Sequence, residues 1–336
     1  MEKNPLIGKG LAVGIILLFV GTCIIPAIAQ NTEKPLPASR GNWLYVGGSG
    51  PGNYTHIQYA VNNANPGDTV FVYDDSSPYH EDVEISKSNI SLIGEDKNTT
   101  IIEGYRLSTA LTFQSNNYRV SGFSLIGIDI EHGSNYNIIS ENNITGYIQG
   151  IRIFSECNGN IISGNYIHNN RGDGIMDCGD YTSIINNTVS NNRFGIVCGV
   201  GSHSRIYNNI IEKNGDGTEF TCGIMLEWSS KNNGETHYYV SKNLISDNNP
   251  TGLYILDSYY NTIERNDFIN NSINNAFFTY ESYGVSHNSW LRNYWSDSKL
   301  GILPKFIHGE RGWGFFFIPW LNLDWFPRKI PYNIGV

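Results

Sequence analysis

One motif recurs six times along this chain and restricts it to a solenoid fold. In each copy an asparagine has an apolar residue three positions before it and another two positions after it. Successive copies are 23, 22, 22, 34 and 23 residues apart. The asparagines are Asn142, Asn165, Asn187, Asn209, Asn243 and Asn266. A repeat of this length has room for short strands and turns but not for a pair of helices.

The pattern inside each repeat predicts a short strand, a tight bend and a second short strand. β-branched residues occupy the strand positions, and glycines mark other corners. Asparagine tolerates the left-handed backbone of a bend, and identical amides can hydrogen-bond to one another when coils stack about 4.8 Å apart. The sequence therefore predicts an all-β fold, a single-stranded right-handed parallel β-helix with coils of about 22 residues.

The entry to the repeats predicts a short capping helix followed by strands. Residues 55–64 place four apolar side chains on one helical face, namely Ile57, Ala60, Val61 and Ala64. Strand patterns follow at residues 66–72, 78–85 and 90–95. In this order of elements, over about residues 42–300, the chain resembles the pectin-lyase-like β-helix superfamily and most of all its NosD-type surface and periplasmic members. The resemblance implies the fold and leaves the activity open, because this fold hosts many functions.

The first 29 residues are predicted to be a signal peptide. Two lysines precede an apolar run over residues 11–28, which ends in an A-x-A cleavage pattern. The run is also long enough for an uncleaved anchor, which would then be the contact with a membrane. Residues 30–41 are predicted to form a linker. We therefore expect an extracytoplasmic protein that is secreted or held at the cell surface.

Composition narrows the classes of partner. Charged residues make up only 16% of the chain, whereas asparagine occurs 42 times, so the surface is polar through amides more than through charges. A net charge of −9 argues against a nucleic-acid partner. Dinucleotide, phosphate-loop, CxxC and HExxH motifs are absent from the sequence, so no organic cofactor is predicted and calcium is the ion left open.

The four cysteines after the leader leave two interpretations open. They are Cys157, Cys178, Cys198 and Cys222. Their spacings of 21, 20 and 24 residues are close to one coil, but their offsets from the nearest repeat glycine differ. Buried thiols in the core are the favoured interpretation. A single disulfide, Cys178–Cys198, is the alternative, since export permits disulfides.

Candidate site residues gather near the longest insertion, which lies between Asn209 and Asn243. They are Asp173, Asp177, Asp180, Arg193 and Glu227, with Asp216, Glu219 and Arg171 close in register. Acids that bind calcium, an arginine and a base would suit a polysaccharide lyase, and two carboxylates could instead hydrolyse a glycoside. The alternative is structural, because the sequences of residues 172–174 and 215–217 are ordinary Gly-Asp-Gly turns.

The resemblance supplies two further expectations. Catalytic motifs of polygalacturonases, pectate lyases and alginate epimerases are missing from the chain, so their catalytic sets do not transfer. The NosD-type resemblance implies help in maturing a copper enzyme outside the cytoplasm. A copper carrier is expected to cluster Met, His or Cys, but only Met176 and Met225 remain after the leader, and the eight histidines are scattered.

The C-terminal residues 301–336 are predicted to form a Trp- and Pro-rich cap. Trp290 and Trp295 take the apolar positions of one last repeat, and further aromatics and prolines follow. An open end of a β-helix needs a cover, since unpaired strand edges aggregate. Exposed aromatics could alternatively form a sugar platform or a docking patch.

Together these features predict an exported β-helix protein that binds a carbohydrate or another cell-surface polymer, in a non-catalytic or structural role. A polysaccharide lyase or glycoside hydrolase acting on an acidic polysaccharide is the alternative. Maturation of a copper enzyme is the third possibility, and it follows from the resemblance alone. The oligomeric state is left open.

Overall fold

The computed structural model describes residues 41–105, 109–146, 148–228, 235–280, 287–298, 303–313 and 316–335. The predicted signal peptide and nearly all of the predicted linker lie outside the described residues, as does the predicted boundary of the cap near residue 300. Among the residues described, no helix is long and apolar enough to cross a membrane.

The described chain is built almost entirely from short strands, with one helix, α1 (Ile57–Asn63), beside the first of them. The strands of the first half are β1 Trp43–Val46, β2 Thr69–Val72, β3 Tyr79–His80, β4 Val83–Ile85, β5 Ser91–Gly94, β6 Ile101–Glu103, β7 Leu111–Phe113, β8 Arg119–Ser121, β9 Ser124–Leu125, β10 Ile128–Ile130, β11 Ile138–Ser140, β12 Asn143–Thr145, β13 Ile151–Ile153, β14 Ile161–Ser163, β15 Tyr166–His168 and β16 Asp173–Asp177. Those of the second half are β17 Ser183–Ile185, β18 Thr188–Ser190, β19 Phe194–Cys198, β20 Arg205–Tyr207, β21 Ile210–Glu212, β22 Cys222–Glu227, β23 Tyr239–Ser241, β24 Leu244–Ser246, β25 Thr251–Leu256, β26 Thr262–Glu264, β27 Asp267–Ile269, β28 Asn274–Tyr280, β29 Ser289–Leu291, β30 Tyr294–Trp295, β31 Lys305–Trp313 and β32 Phe316–Asp324.

Every third strand pairs in parallel, which produces three ladders along one axis. Ladder A contains β1, β2, β5, β8, β11, β14, β17, β20, β23, β26, β29 and β32. Ladder B contains β3, β6, β9, β12, β15, β18, β21, β24, β27 and β30. Ladder C contains β4, β7, β10, β13, β16, β19, β22, β25, β28 and β31. The predicted right-handed parallel β-helix is thus confirmed, with the capping helix at residues 57–63 where 55–64 was predicted.

Stacked aliphatic side chains fill the interior of the three ladders. In ladder A, Ile139, Ile162, Ile184 and Ile206 pair in successive strands, and all four are fully buried. Inward and outward side chains alternate along each strand, so a three-residue strand with an outward–inward–outward pattern buries one aliphatic residue per coil. This repetition explains why a sequence with few charges and many amides still forms a continuous core.

The recurring asparagines form the predicted ladder of amides inside the corner between ladders A and B. In each step the backbone N–H and the Nδ2 of one asparagine donate to the Oδ1 of the next, as from Asn187 to Asn209 at 2.8 and 3.1 Å. The Nδ2 also donates to a core carbonyl, for example that of Ile162 at 2.9 Å. The buried amides thereby satisfy the backbone groups that the turn leaves without a partner.

The left-handed backbone of this corner falls on a different residue from the one expected. The ladder asparagines have ordinary φ values, and the positive φ lies on the preceding residue, such as Asn186 (56°), Asn208 (57°) or Lys242 (51°). The expectation that the ladder asparagine itself makes the bend was wrong. Its side chain has to point inward to reach the next amide, so the exposed neighbour turns the chain.

The cysteines are free thiols, and the alternative disulfide does not form. Cys198 pairs in register with Asp177, the residue before Cys178. Because neighbouring residues of a strand point to opposite sides, Cys198 faces the core while Cys178 faces outward. The favoured interpretation, buried thiols, holds for Cys157, Cys198 and Cys222, whereas Cys178 is partly exposed.

A hairpin closes the C-terminal end. Strands β31 and β32 pair antiparallel over nine residue pairs. β31 extends ladder C by pairing with β28, and β32 meets ladder A where Asp324 pairs with Trp290. Below the hairpin, the Trp295 ring stacks on Phe268 with centroids 4.3 Å apart. The described part of the predicted cap therefore covers the last coil with a hairpin, and the Phe268–Trp295 stack lies inside the last two coils.

Candidate functional site

The corner between ladders C and A carries a column of stacked rings, which we call the Tyr–His column. Adjacent ring centroids are 4.8, 5.0, 5.3 and 4.8 Å apart, and their planes lie within 24° of parallel. The rings belong, in order, to Tyr181, His203, His237, Tyr260 and His287. This spacing follows from the rise of one coil, about 4.8 Å between paired strands.

The backbone beneath this column is unusual for such large residues. The first four rings sit on residues with φ of 57°, 61°, 52° and 61°, a region that bulky side chains rarely adopt. At the same corner, other coils place Asn89, Asn117, Tyr136 and Gly159 in this conformation. The rings of the column therefore stand where three of four other coils use smaller residues, which adopt this conformation at lower cost.

A second column runs beside the first on the outer face of ladder A. Its members are consecutive in register, because Ser183 pairs with Arg205 and Arg205 pairs with Tyr239. The two columns together line a groove of about 540 Å³, which we call the Tyr–His groove. Its lining residues are Tyr181, Ser183, His203, Arg205, His237 and Tyr239.

The groove lining offers hydrogen-bond donors and one fixed positive charge. Arg205 is exposed and makes no ion pair with any residue that the structure describes. No carboxylate belongs to the lining. Two lie nearby, since Glu235 is 4.0 Å from Nε2 of His237 and Glu264 accepts a 2.6 Å hydrogen bond from the Tyr239 hydroxyl. Burial and this carboxylate raise the pKa of Tyr239, so the phenol stays protonated.

Asp180, one of the predicted site residues, orients a ring of the groove. Its Oδ1 accepts a hydrogen bond from Oγ of Ser202 at 2.9 Å. That Oγ also lies 3.0 Å from Nδ1 of His203. Because the serine proton points to the carboxylate, Nδ1 donates to Oγ and Nε2 of His203 remains an acceptor in the neutral ring. Asp180 thus supports the groove from behind and does not line it.

Two other predicted residues, Asp173 and Glu227, lie on the outer edge of ladder C and influence each other. Burial raises the pKa of Asp173, against a 2.9 Å hydrogen bond from Gln149 and the charge of Arg193. Burial also raises the pKa of Glu227, and the charge of Asp173 raises it further. Carboxyls with raised pKa values suit a general acid, so this pair meets one requirement of a glycoside hydrolase.

Arg193 forms an ion pair on the surface, and Asp177 is buried. Nε of Arg193 binds Asp216 at 3.2 Å on the exposed surface, and bonds from Thr218 together with Arg193 hold the pKa of Asp216 at about 2. Asp177 points into the core between Ile153 and Cys198 in register. The structure therefore brings Asp173, Glu227 and Arg193 into one neighbourhood and leaves Asp177 and Asp180 outside it.

A second groove, which the sequence interpretation missed, crosses the outer face of ladder C nearer the N-terminus. It measures about 430 Å³ and is lined in part by Glu84, Thr112, Asp129 and Arg152. Arg152 is held by Asp129 through Nε at 3.1 Å and through Nη2. The signal was present in the chain, because each of these residues stands between two buried apolar neighbours of a strand.

The comparison with protein families decides where the chain belongs. The model of the family described as "Periplasmic copper-binding protein (NosD)" matches residues 61–234, which is 174 of the 336 residues. The chain belongs to the NosD family. The description of this family is periplasmic, which agrees with an extracytoplasmic location. A comparison with curated proteins finds no match.

Solved structures similar to this NosD-family chain are β-helix proteins of low identity. Pectate lyase Pel9A shares 16% identity over 77% of this chain and 75% of its own, with a TM-score of 0.45. The Dettilon tailspike protein shares 12% over 75% and 61%, with a TM-score of 0.46. The A-module of the Azotobacter vinelandii mannuronan C-5 epimerase AlgE6 shares 14% over 69% and 92%, with a TM-score of 0.33. Likeness at this level transfers no activity.

The description of the NosD family raises the question whether this chain has copper ligands. No group of three or more His, Cys, Asp or Glu suited to a metal occurs in the described ranges. One cavity of about 390 Å³ on ladder C is nevertheless lined by His132, Met176 and Cys178. Nδ1 of His132 lies 2.9 Å from the Ser155 carbonyl, which leaves Nε2 available. Imidazole, thioether and thiol are donors that suit Cu(I), so the donor set fits in kind.

Proposed function

We propose that this NosD-family protein is exported and binds an acidic carbohydrate polymer in the Tyr–His groove, without catalysis. The observation that carries the proposal is the lining itself. Arg205 supplies a fixed positive charge and Tyr181, Ser183 and His237 can donate hydrogen bonds, while none of the six lining residues is a carboxylate, in a chain with a net charge of −9. A lining that holds an arginine and no carboxylate favours a ligand with a negatively charged group at Arg205.

The shape of the groove supports an extended ligand. The ring column and the Ser183–Arg205–Tyr239 column both run along the helix axis with the spacing of one coil. A polymer laid along this axis would meet a hydroxyl, imidazole or guanidinium at every coil. Arg205 would bind a carboxylate through its fork of N–H groups, and the phenols and Ser183 would bind hydroxyls.

Binding to immobilised polygalacturonate at low salt, and to solutions of it by calorimetry, tests the proposal. We expect Arg205→Gln to weaken binding about tenfold or more, since charge-assisted hydrogen bonds are the strong ones. Arg119→Gln is the matched control, because Arg119 occupies the same register position of ladder A and lies outside the groove lining. Equal weakening by both variants, or none by either, would contradict the assignment.

The non-catalytic part of the proposal has its own test. The raised pKa values of Asp173 and Glu227 are what a competing hydrolase would need. We expect no reducing ends and no unsaturated uronate from polygalacturonate, with or without calcium. Product that disappears in Asp173→Asn, while Arg205→Gln still forms it, would replace binding by catalysis at ladder C.

A second candidate function is copper binding, because His132, Met176 and Cys178 line one cavity in a family described as copper-binding. When bound there, Cu(I) would be a cargo held by soft donors. Burial and neighbouring carboxylates raise the pKa of Cys178 to about 11, so binding would have to displace the thiol proton. Competition for Cu(I) with a chromophoric chelator should weaken at least tenfold in Cys178→Ser or Met176→Leu. Met225→Leu, the matched control outside this cavity, should bind as the unaltered protein does.

A further inference from the structure

The C-terminal cap exposes large apolar side chains in unusual density. Nine lie exposed within the described residues of 303–335, against 13 in all of the described residues of 41–298. Six of them, which we call the cap patch, are Phe317, Trp320, Leu321, Trp325, Phe326 and Ile330. Concentrated apolar surface of this kind marks an interaction site, whereas single exposed residues do not.

The second strand of the cap hairpin, β32, lies at an edge of the described sheet. Among the described strands, β31 pairs on one side with β28 and on the other with β32, whereas β32 pairs along its length only with β31 and meets β29 at Asp324. Phe317 and Leu321 point to one face of β32, and Ile318 and Trp320 point to the other. All four are exposed. The outer strand of the hairpin therefore exposes apolar side chains on both of its faces.

The charge of the cap is opposite to that of the remaining chain. Residues 301–336 contain four Lys and Arg against two Asp and Glu, while residues 1–300 have 18 against 29. Asp324, one of the two acids, is fully buried. The guanidinium of Arg311 lies 5.2 Å from the centroid of the Trp320 ring, and Arg328 lies over Tyr332. Arg311 thus lies on the face of the hairpin that carries Trp320, and Arg328 lies beside another aromatic ring of the cap.

We infer that the cap patch docks on a membrane surface that carries anionic headgroups. Trp and Phe side chains combined with Lys and Arg are the composition of segments that lie in a bilayer interface. The open backbone edge of β32 limits the contact to interfacial depth, because unpaired amides cannot enter hydrocarbon.

A second copy of the chain is the less suitable occupant. Pro319 stands in the middle of β32 and lacks the N–H that strand addition needs. The basic groups of two caps would also repel each other across such a contact. Docking on a membrane does not rest on the proposed polymer binding, because the Tyr–His groove uses strands β17, β20 and β23 and the cap uses none of them.

Co-sedimentation with lipid vesicles tests the inference. The chain from Gln30 onward is the suitable form, because it lacks the apolar run of the leader and retains the compact unit Gly41–Val336. We expect it to bind vesicles of phosphatidylglycerol and phosphatidylcholine. The variant Trp320→Ser/Trp325→Ser/Phe326→Ser should lower the partition coefficient at least tenfold. Trp43→Ser/Tyr45→Ser, exposed aromatics of β1, is the matched control and should bind as before.

A charge variant keeps the test decisive if the triple variant does not fold. Arg328→Gln/Lys329→Gln should lose the preference for phosphatidylglycerol over pure phosphatidylcholine and show weaker dependence on salt. Three results would overturn the inference: no vesicle binding by the unaltered chain, equal loss in the control, or a dimer in sedimentation that the triple variant dissolves. The last result would assign the patch to a second copy.

Discussion

At the scale of single residues, Asp177 is a carboxylate at an inward position that neighbouring coils fill with apolar side chains or a thiol. Its register partners Ile153 and Cys198 fill the core, and Asp177 occupies the same inward position with 1% exposure. Its Oδ1 accepts hydrogen bonds from Thr182 Oγ1 at 2.9 Å and from the Gly179 amide at 3.0 Å. These bonds only partly offset the loss of water, and burial raises the pKa of Asp177 to about 6.

This raised pKa predicts a pH dependence of stability. Between its ordinary value of 3.8 and about 6 the folded protein binds more protons at Asp177 than the unfolded chain, so stability falls as the pH rises through that window. From pH 5 to pH 8 the loss should be about 1 kcal/mol. Asp177→Asn should abolish it, as measured by urea unfolding at both pH values.

The control for this prediction is an acid whose pKa shifts the other way. The pKa of Asp216 is held at about 2, so neither its folded nor its unfolded form titrates between pH 5 and pH 8. Asp216→Asn should therefore leave the difference between the two pH values unchanged. An Asp177→Asn protein that retains the full pH dependence would show that another buried group titrates in this range.

At the scale of elements, the corners hold the coils in register. A second amide ladder, absent from the sequence interpretation, runs inside the corner between ladders B and C through Asn170, Asn192, Asn214, Asn248 and Asn271. Its signal was visible, because each member stands five residues after a member of the first ladder. Both ladders join amides across coils, so the 34-residue insertion interrupts neither of them.

Asn209 allows the strength of such a ladder to be measured. It accepts from Asn187, donates to Oδ1 of Asn243 at 3.0 Å and donates to the Ile184 carbonyl at 2.9 Å. Asn209→Ala leaves these buried groups without partners, and we expect a loss of about 2–4 kcal/mol in the free energy of unfolding. Hydrogen exchange should localise the loss to the adjacent coils, since a repeat contacts only its neighbours.

The neighbouring residue provides the control for that experiment. Asn208 is exposed and has a φ of 57°, a conformation that glycine adopts without strain. Asn208→Gly should change stability by less than about 1 kcal/mol in the same urea titrations. If both variants lose similar stability, backbone conformation at the corner outweighs the buried amides.

The periodic part of the chain was predictable, and the departures from the period were less so. Equivalents of Asn165 and Ile167 recur in each of the six repeats, so the positions of the ladder asparagines and of these core residues follow from spacing alone. Inward and outward alternation after Ile175 would have placed Met176 outside and Asp177 in the core, although the sequence interpretation grouped Asp177 with the surface acids. The rings of the Tyr–His column also follow the period, because each stands six residues before an asparagine of the first ladder. Spacing therefore aligns them, whereas the groove that they line depends on the path of the bends, which spacing does not give.

At the scale of the whole molecule, buried carboxylates close the cylinder at both ends. Glu81 accepts hydrogen bonds from the first-turn amides of α1, from Ile57 at 2.8 Å and Gln58 at 3.0 Å. Negative charge is favourable at a helix N-terminus. At the other end, Asp324 replaces the next asparagine of the first ladder and accepts from the N–H and the Nδ2 of Asn293. An acceptor with no amide protons suits the end of the ladder, because the described residues after Asp324 form no further coil that could accept from it.

Asp324 should accordingly be the most sensitive position of the C-terminal cap. Besides Asn293 it accepts from the Arg292 amide at 3.0 Å and from Nε1 of Trp295 at 3.1 Å. Asp324→Ala leaves three buried donors and the part-buried amides of Arg292 and Phe326 without this acceptor. It should cost at least about 3 kcal/mol in urea unfolding, with early loss of the Trp295 fluorescence signal. Asp324→Asn retains one accepting oxygen and should lose about half as much. Asp297→Asn, which removes only an exposed ion pair with Lys305, should lose less than about 1 kcal/mol. Small and equal losses in all three would mean that the stacked rings and the hairpin close the helix without this carboxylate.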